Sequence, residues 1–312
     1  MLLLDHLLDH LFDHHYINST RFTRHHPELR LWLFVILFNT TLATMAMVSG
    51  FFFNVLAPYG GTQSTQPSHI PTWMWGPKIN SKLGWYIMEL PALFAAVGTV
   101  VYFDVEDYLQ SPTHCQFAVG LYLVHYFNRG VLFPSKRGNV TSLESSATFV
   151  LGAFFNAGNA YAIVRYLTHF GLGTSLVTAA SAPTPLEQAT PFRIIGATVV
   201  FFIGAGINMI SDELLLRFSH EKKLEPDPTV QQAMVPGGFF IFEYVTAGNY
   251  FGELMEWVGF FWLTYPSPAS ACFLYMTFCN LAPRAWSRHQ RYKREIKGYT
   301  ELNRCAIIPF VL

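Results

Sequence analysis

The chain has 312 residues, of which 51% are apolar and only 13% charged, with 29 phenylalanines and a formal net charge of zero. An ordinary soluble domain carries about a quarter charged residues, so this composition places the chain among membrane proteins. The lack of a basic surplus argues against nucleic acid as a partner, because neutralising phosphates needs a basic surface.

Residues 1–30 stand apart. The start MLLLDHLLDHLFDHH lacks the basic region of a cleavable signal, and its apolar run is interrupted every fourth residue. Asp5, Asp9 and Asp13 repeat with His6, His10 and His14, so a helix gathers them on one face with Leu and Phe opposite. Two histidines at i and i+4 could hold a metal, but nothing nearby completes a ligand set. The expectation is an amphipathic segment at the membrane interface, with no metal.

Residues 31–312 are expected to form one all-α integral membrane domain. Stretches of ~20 apolar residues, enough to cross a hydrocarbon core, occur seven times. They lie at about 31–57, 83–103, 115–133, 145–170, 194–216, 239–263 and 266–283. Lys78 and Lys82, Lys136 and Arg137, Arg217, Lys222 and Lys223, and the tail from Arg284 to Lys297 all fall on one side of seven spans. The opposite loop DVEDYLQSPTH at 104–114 is poor in basic residues, so the C-terminus is expected to be cytosolic. Arg21, Arg24 and Arg30 before the first span are the exception. Of the sequons at Asn18, Asn39 and Asn139, Asn39 lies inside a span and Asn139 on the cytosolic side, which leaves Asn18. Residues 58–80 and 173–192 are rich in Pro, Ser and Thr and read as loops. Cys115, Cys272, Cys279 and Cys305 are scattered and read as small packing groups.

The informative feature is the polar content of the apolar segments. FEYVTAGNYFGELMEW at 242–257 carries Asn249, Glu253 and Glu256, LGWYIMELPALFAAV carries Glu89, VGLYLVHYFNRGVLF carries His125, Tyr126 and Arg129, and FFIGAGINMISDELLL carries Asn208 and Asp212. Ionisable residues cost about 2.5–3.5 kcal/mol each at the centre of a span, so a helix that keeps several is expected to use them. Pro91 and Pro134 beside them suggest helix breaks facing a cavity. There is no HExxH, GxSxG or P-loop. GAGINM at 204–209 and GLGTSL at 171–176 lack the third glycine of a dinucleotide fingerprint. A nucleotide would therefore be held by scattered groups: Asn208, Asp212 and Asn249 on ribose and amide, Arg129 and Arg284 on phosphates.

The strings EYVTAGNYFGELMEW, GINMISDELL, HYFNR, MELPAL, RAWSRHQRY and IIPF occur in an order that closely resembles the steroid 5α-reductases, over roughly residues 83–312. The resemblance implies seven transmembrane helices enclosing an NADPH and steroid cavity in the endoplasmic reticulum membrane. It also implies reduction of the Δ4 double bond of a 3-oxo steroid. By the same resemblance the carbonyl-binding glutamate falls on Glu89 and the tyrosine of the HY pair on Tyr126. The NADPH contacts fall on Arg129, Asn208, Asp212, Asn249, Glu253, Arg284, His289 and Tyr292. The chain departs from the family at PSKRGNV (134–140), at PGG (236–238), which lies two residues farther from Asn249, and at Arg288–His289 in place of paired histidines.

The chemistry agrees with these residue types. Hydride adds to the β-carbon of an enone only if the charge building on the carbonyl oxygen is stabilised, and a glutamic acid kept neutral by apolar surroundings donates the hydrogen bond required. Each residue has a structural competitor. Glu89 could be satisfied by another helix, Tyr126 could anchor at the interface, and Asn208 and Asn249 could join helices. Glu253 either binds the nicotinamide amide or pairs with an arginine. Glu256 and Trp257 are expected to be structural. Related reductases act on enoyl thioesters or polyprenols, and a non-catalytic sterol-binding or transporter-like membrane protein is the competitor outside enzymes; membrane lipid is the other expected partner.

Overall fold

The computed structural model describes residues 27–53, 55–56, 72–103, 105–136, 143–172 and 185–312. The His/Asp-rich start, the sequons at Asn18 and Asn139, and Arg137 lie outside the described residues.

Helix α1 runs Pro27–Phe53, α2 Ser81–Phe103, α3 Val105–Gln110 and α4 Thr113–Phe127, which passes through a π-helical turn at Asn128–Leu132 into α5, Phe133–Lys136. Helix α6, Ser146–Arg165, continues as a π-turn over Tyr166–Phe170. Then come α7 (Pro191–Leu224), α8 (Pro228–Ala233), α9 (Gly248–Leu263) and α10 (Pro268–Glu295). Four helical runs are long and apolar enough to cross a membrane: Pro27–Phe53, Ser81–Phe103, Ser146–Phe170 and Pro191–Leu224. Large apolar side chains lie exposed along them, among them Phe34 and Phe38, Phe94 and Val101, and Phe192 and Phe202, as lipid contact requires.

The other three expected spans fall on α4, α9 and α10, which do not reach that standard. Helix α9 has 16 residues, about 24 Å at 1.5 Å per residue. Helix α10 starts apolar and ends basic, with Arg284, Arg288, Arg291, Lys293 and Arg294 in its second half. The stretch expected to be helical from residue 239 instead begins with a 3-10 turn, Phe240–Glu243, followed by extended chain. That extended chain pairs with the C-terminal segment: Thr246 N donates to Cys305 O at 2.9 Å, Ala247 N to Ala306 O at 3.1 Å, and Cys305 N to Tyr244 O at 2.8 Å. The backbone groups that a helix would have paired are satisfied there instead.

The chain divides into two compact units, one of residues up to Leu42, 75–195 and 260–275, the other of 43–74, 196–259 and 276–312. In the first, strands Lys78–Asn80 (β1) and Leu143–Ser145 (β2) pair antiparallel, Lys78 opposite Ser145 and Asn80 opposite Leu143. This ladder, absent from the all-α expectation, starts α2 and α6 side by side. Asn80 Oδ1 caps α2 by accepting from Lys82 N at 2.9 Å and Leu83 N at 3.2 Å. Glycines then let the two helices close: a Cβ on Gly84 would run into the Phe149 ring, and one on Gly152 would meet Met88 Cγ at 2.6 Å. Helix α1 is tied to α6 by Trp32 Nε1, donating to Ala162 O at 2.8 Å, and by Asn39 Nδ2, donating to Phe155 O at 3.3 Å. At the end of α6, Arg165 grips Glu28 with two hydrogen bonds, at 2.6 and 3.1 Å. Helix α2 runs through Pro91 uninterrupted, whereas the π-turn lies directly ahead of α5 and its Pro134. A proline has no N–H to give to the preceding turn, so a widened turn there accommodates it.

In the second unit α7 and α9 approach to backbone contact. A Cβ on Gly204 would strike Glu256 N, one on Gly252 would strike Asn208 N, and one on Gly259 would strike Phe201 N. Backbone cannot rotate aside, so these positions admit no side chain, as in small-residue helix crossings of membranes. Gly204, in GAGINM, is therefore a packing glycine. Gly252→Ala is expected to cost about 1–3 kcal/mol by overpacking, read as a lower midpoint of thermal unfolding in detergent. Gly206→Ala, where nothing lies within 4 Å, serves as the control and is expected to leave the midpoint unchanged or slightly raised.

Candidate functional site

Glu89 sits in the middle of α2, 8% exposed, and Tyr126 at the end of α4, 4% exposed. One side chain joins them. Asn156 on α6 donates from Nδ2 to Met88 O at 2.8 Å and to Glu89 Oε2 at 3.2 Å, and its Oδ1 accepts from Tyr126 OH at 3.3 Å. The orientation of this amide is fixed, because the Met88 carbonyl only accepts and so must face the NH2. Tyr126 is walled by Tyr122, ring centroids 4.6 Å apart, and His125, at 5.1 Å. Arg129, on the π-turn, lays its guanidinium over Trp85 at 5.0 Å and Phe133 at 5.1 Å, and with His125 it lies close enough to act electrostatically on Glu89. A carboxyl group, a phenol and a cation thus gather among aromatic side chains in the first unit.

A second polar cluster lies in the second unit. Asn208 Nδ2 donates to Asn249 O at 2.9 Å, and Asn249 Nδ2 donates to Asp212 Oδ1 at 2.9 Å; all three residues are buried. Asn208 and Asp212 fall one turn apart on α7, and Asn249 opens α9, so the helix crossing at Gly252 sets their distance. Arg288 joins them from α10, reaching Tyr250 OH at 3.1 Å and Asn249 Oδ1 at 3.5 Å, with its guanidinium 4.8 Å from the Tyr250 ring centre. Its hydrogen-bond partners are neutral. Ser211 Oγ is buried with no hydrogen-bond partner among the described residues. A half-buried guanidinium on which Asp212 also acts, and an unused hydroxyl beside three amide and carboxylate groups, fit a ligand that carries phosphate and ribose, such as a dinucleotide.

Of the remaining candidates, Glu253 is half-buried one turn after Asn249. Arg284 is buried, with Nε donating to Asn280 Oδ1 at 3.2 Å. Tyr292 stacks edge-on against Tyr299, centroids 5.5 Å apart. His289 belongs to a lock on the C-terminal segment, where Thr246 Oγ1 meets His289 Nδ1 at 2.6 Å, Tyr299 OH at 2.5 Å and Cys305 O at 3.1 Å. The residues that sequence reasoning passed over are Asn156 and Arg288. Asn156 carried the signal used elsewhere, an amide within an apolar helix. Arg288 was read only as a departure from a pair of histidines.

His289 lies beyond the apolar half of α10, and burial together with the Lys293 charge lowers its pKa to about 4 from 6.5. The unfolded chain binds the proton between these values and the folded chain does not, so stability is complete above pH 6.5 and falls as pH drops toward 4. The thermal unfolding midpoint in detergent is expected to decline over that window. His289→Gln is expected to flatten that part of the profile, and an unchanged profile in the variant would remove His289 as its source.

The model of the 3-oxo-5-alpha-steroid 4-dehydrogenase family matches residues 145–312, a stretch that holds Asn156 and the whole second cluster. Glu89, Tyr126 and Arg129 precede it. Steroid 5-alpha-reductase DET2 of Arabidopsis thaliana is 29% identical over 267 residues, covering 82% of this chain and 87% of that protein. The protein of the same name from Gossypium hirsutum is 30% identical over 258 residues, covering 82% and 88%. The 3-oxo-5-alpha-steroid 4-dehydrogenase 2 of Mus musculus is 28% identical over 274 residues, covering 88% and 94%.

Proposed function

The chain belongs to the 3-oxo-5-alpha-steroid 4-dehydrogenase family and is an oxidoreductase, and from that premise we propose that it reduces the Δ4 double bond of a 3-oxo-Δ4 steroid to the 5α-dihydro steroid with NADPH as reductant. The observation that carries this reading is the convergence of Glu89 and Tyr126 on one buried amide. Two hydrogen-bond donors held together in an apolar site suit a ketone oxygen that gains charge during reaction.

NADPH, when bound, supplies the hydride that adds at C5. As the C5–H bond forms, the C4–C5 π electrons move toward C3 and the oxygen becomes an enolate. Glu89, as the neutral acid, and Tyr126 donate hydrogen bonds to that oxygen. These bonds strengthen as charge develops, so they lower the barrier more than they tighten ground-state binding. Water or a nearby acid then protonates C4, and the carbonyl returns. Asn208, Asp212 and Asn249 are assigned to ribose and amide groups, Glu253 to the nicotinamide amide, and Tyr292 and His289 to the cofactor without a specified part. Arg129 and Arg284 are assigned to the phosphates. The basic residues after the first, third, fifth and seventh expected spans support a cytosolic C-terminus, and family membership supports the endoplasmic reticulum as the membrane.

Membranes expressing the chain are expected to convert 3-oxo-Δ4 steroids to 5α-products with NADPH in preference to NADH. Glu89→Gln and Tyr126→Phe, at matched expression, are each expected to lower kcat by about 10²–10³, the usual effect of losing one donor to a developing oxyanion. Turnover of an enoyl thioester or a polyprenol with none of any steroid would remove the substrate assignment and leave the family intact.

A further inference from the structure

Glu89 and Tyr126 are functional groups with more than one proton arrangement. A neutral carboxylic acid can carry its proton on either oxygen, and a phenol can swing its O–H about the ring plane. A carbonyl clamp works only if both protons are available on the side where the ketone arrives. Something must therefore choose between the arrangements, and the residue placed to do so is Asn156.

Asn156 is 9% exposed and uses its polar atoms in a fixed sense. One N–H goes to Met88 O at 2.8 Å, the shortest of its three bonds, which anchors the amide on the backbone of α2 directly before Glu89. The second N–H goes to Glu89 Oε2 at 3.2 Å. In a neutral acid the carbonyl oxygen is the better acceptor, so this bond favours the arrangement with the proton on Oε1. Oε1 has no hydrogen bond among the described residues. The amide oxygen, which cannot turn away without breaking the Met88 bond, accepts from Tyr126 OH at 3.3 Å. That bond is longer than an ordinary O–H···O hydrogen bond, so it is weak and is given up at little cost when a stronger acceptor arrives.

We propose that Asn156 is a positioning residue for the reduction, which leaves the Glu89 proton on Oε1 and holds the Tyr126 hydroxyl on its own amide oxygen until the ketone oxygen takes over that proton. This rests on the Glu89 and Tyr126 clamp proposed above. Asn156 touches neither substrate nor cofactor in this role and acts through the two residues that do. Its place on α6 is determined by the β1–β2 ladder and by Gly84 and Gly152, which set α6 against α2 at this depth.

The test is a double-mutant cycle read in single turnover, with enzyme in excess over a 3-oxo-Δ4 steroid and saturating NADPH, so that slow variants are still measured. Asn156→Leu keeps the side-chain volume and removes all three hydrogen bonds; Asn156→Ala is the companion variant. The single-turnover rate is expected to fall about 10–100-fold, the scale of a small misplacement of reacting groups, while steroid Kd moves less than about threefold. In a Tyr126→Phe background the same substitution is expected to cost markedly less, because one of the groups it positions is already gone. Equal losses in both backgrounds, or a loss confined to steroid Kd, would overturn the proposal while leaving the clamp standing. Failure of both Asn156 variants to fold would also overturn it, by assigning the residue to the helix interface alone. If Tyr126→Phe and Glu89→Gln themselves retain full activity, the clamp fails, and the role of Asn156 fails with it.

Discussion

The constraint on which the rest of this structure depends is the lack of water inside apolar helices. A polar side chain there has to find its partner within the protein, and asparagine, with two donors and an acceptor on a short stem, supplies partners in several directions at once. In the first unit Asn156 binds Met88, Glu89 and Tyr126 together, and Asn39 pins α1 to α6. In the second unit Asn208 and Asn249 chain α7 to α9 and hold Asp212 in place. At Asn156 and Asn249 the bonds that join helices also hold a carboxyl group, Glu89 in one case and Asp212 in the other.

Backbone geometry makes those bonds possible. Amide side chains are short, so the helices carrying them must lie close, and glycine is the residue that permits this. Gly252 allows α9 to reach the backbone of Asn208, and Gly84 and Gly152 allow α2 and α6 to close beside Glu89 and Asn156. The proposal that the chain is a 5α-reductase rests on family membership over more than half the residues, and it is consistent with a carboxyl group and a phenol held on one buried amide.

Much of this was legible in the sequence, and the exceptions have physical causes. Among the described residues, hydropathy anticipated the four helical runs long and apolar enough to cross a membrane, because length and apolarity are local properties. It misjudged the ends where polar chemistry takes over: α7 continues through Arg217 to Leu224, and α9 begins nine residues later than expected because its approach pairs with the C-terminal segment. That pairing joins residues some sixty apart in the chain, as does the β1–β2 ladder, and no local pattern announces either. Glu89 and Tyr126, proposed as the carbonyl pair, were reached through the motifs MELPAL and HYFNR. Asn156 was missed because it belongs to neither motif, and its meaning lies in what it touches across α2 and α4. His289 shows the opposite case, a residue assigned to the cofactor whose observed bonds tie down the C-terminal segment.

The central claim is that hydride reaches C5 of an enone held at its ketone, and isotope transfer tests it most directly. The protein in detergent or native membranes would be given a 3-oxo-Δ4 steroid with NADPH deuterated at C4 of the nicotinamide, each face labelled in turn, and the product examined by mass spectrometry and NMR. The account predicts deuterium at C5 in the 5α configuration from one of the two labelled faces, and a solvent-derived hydrogen at C4. Deuterium at C4, at the carbonyl carbon or nowhere in the product would contradict it.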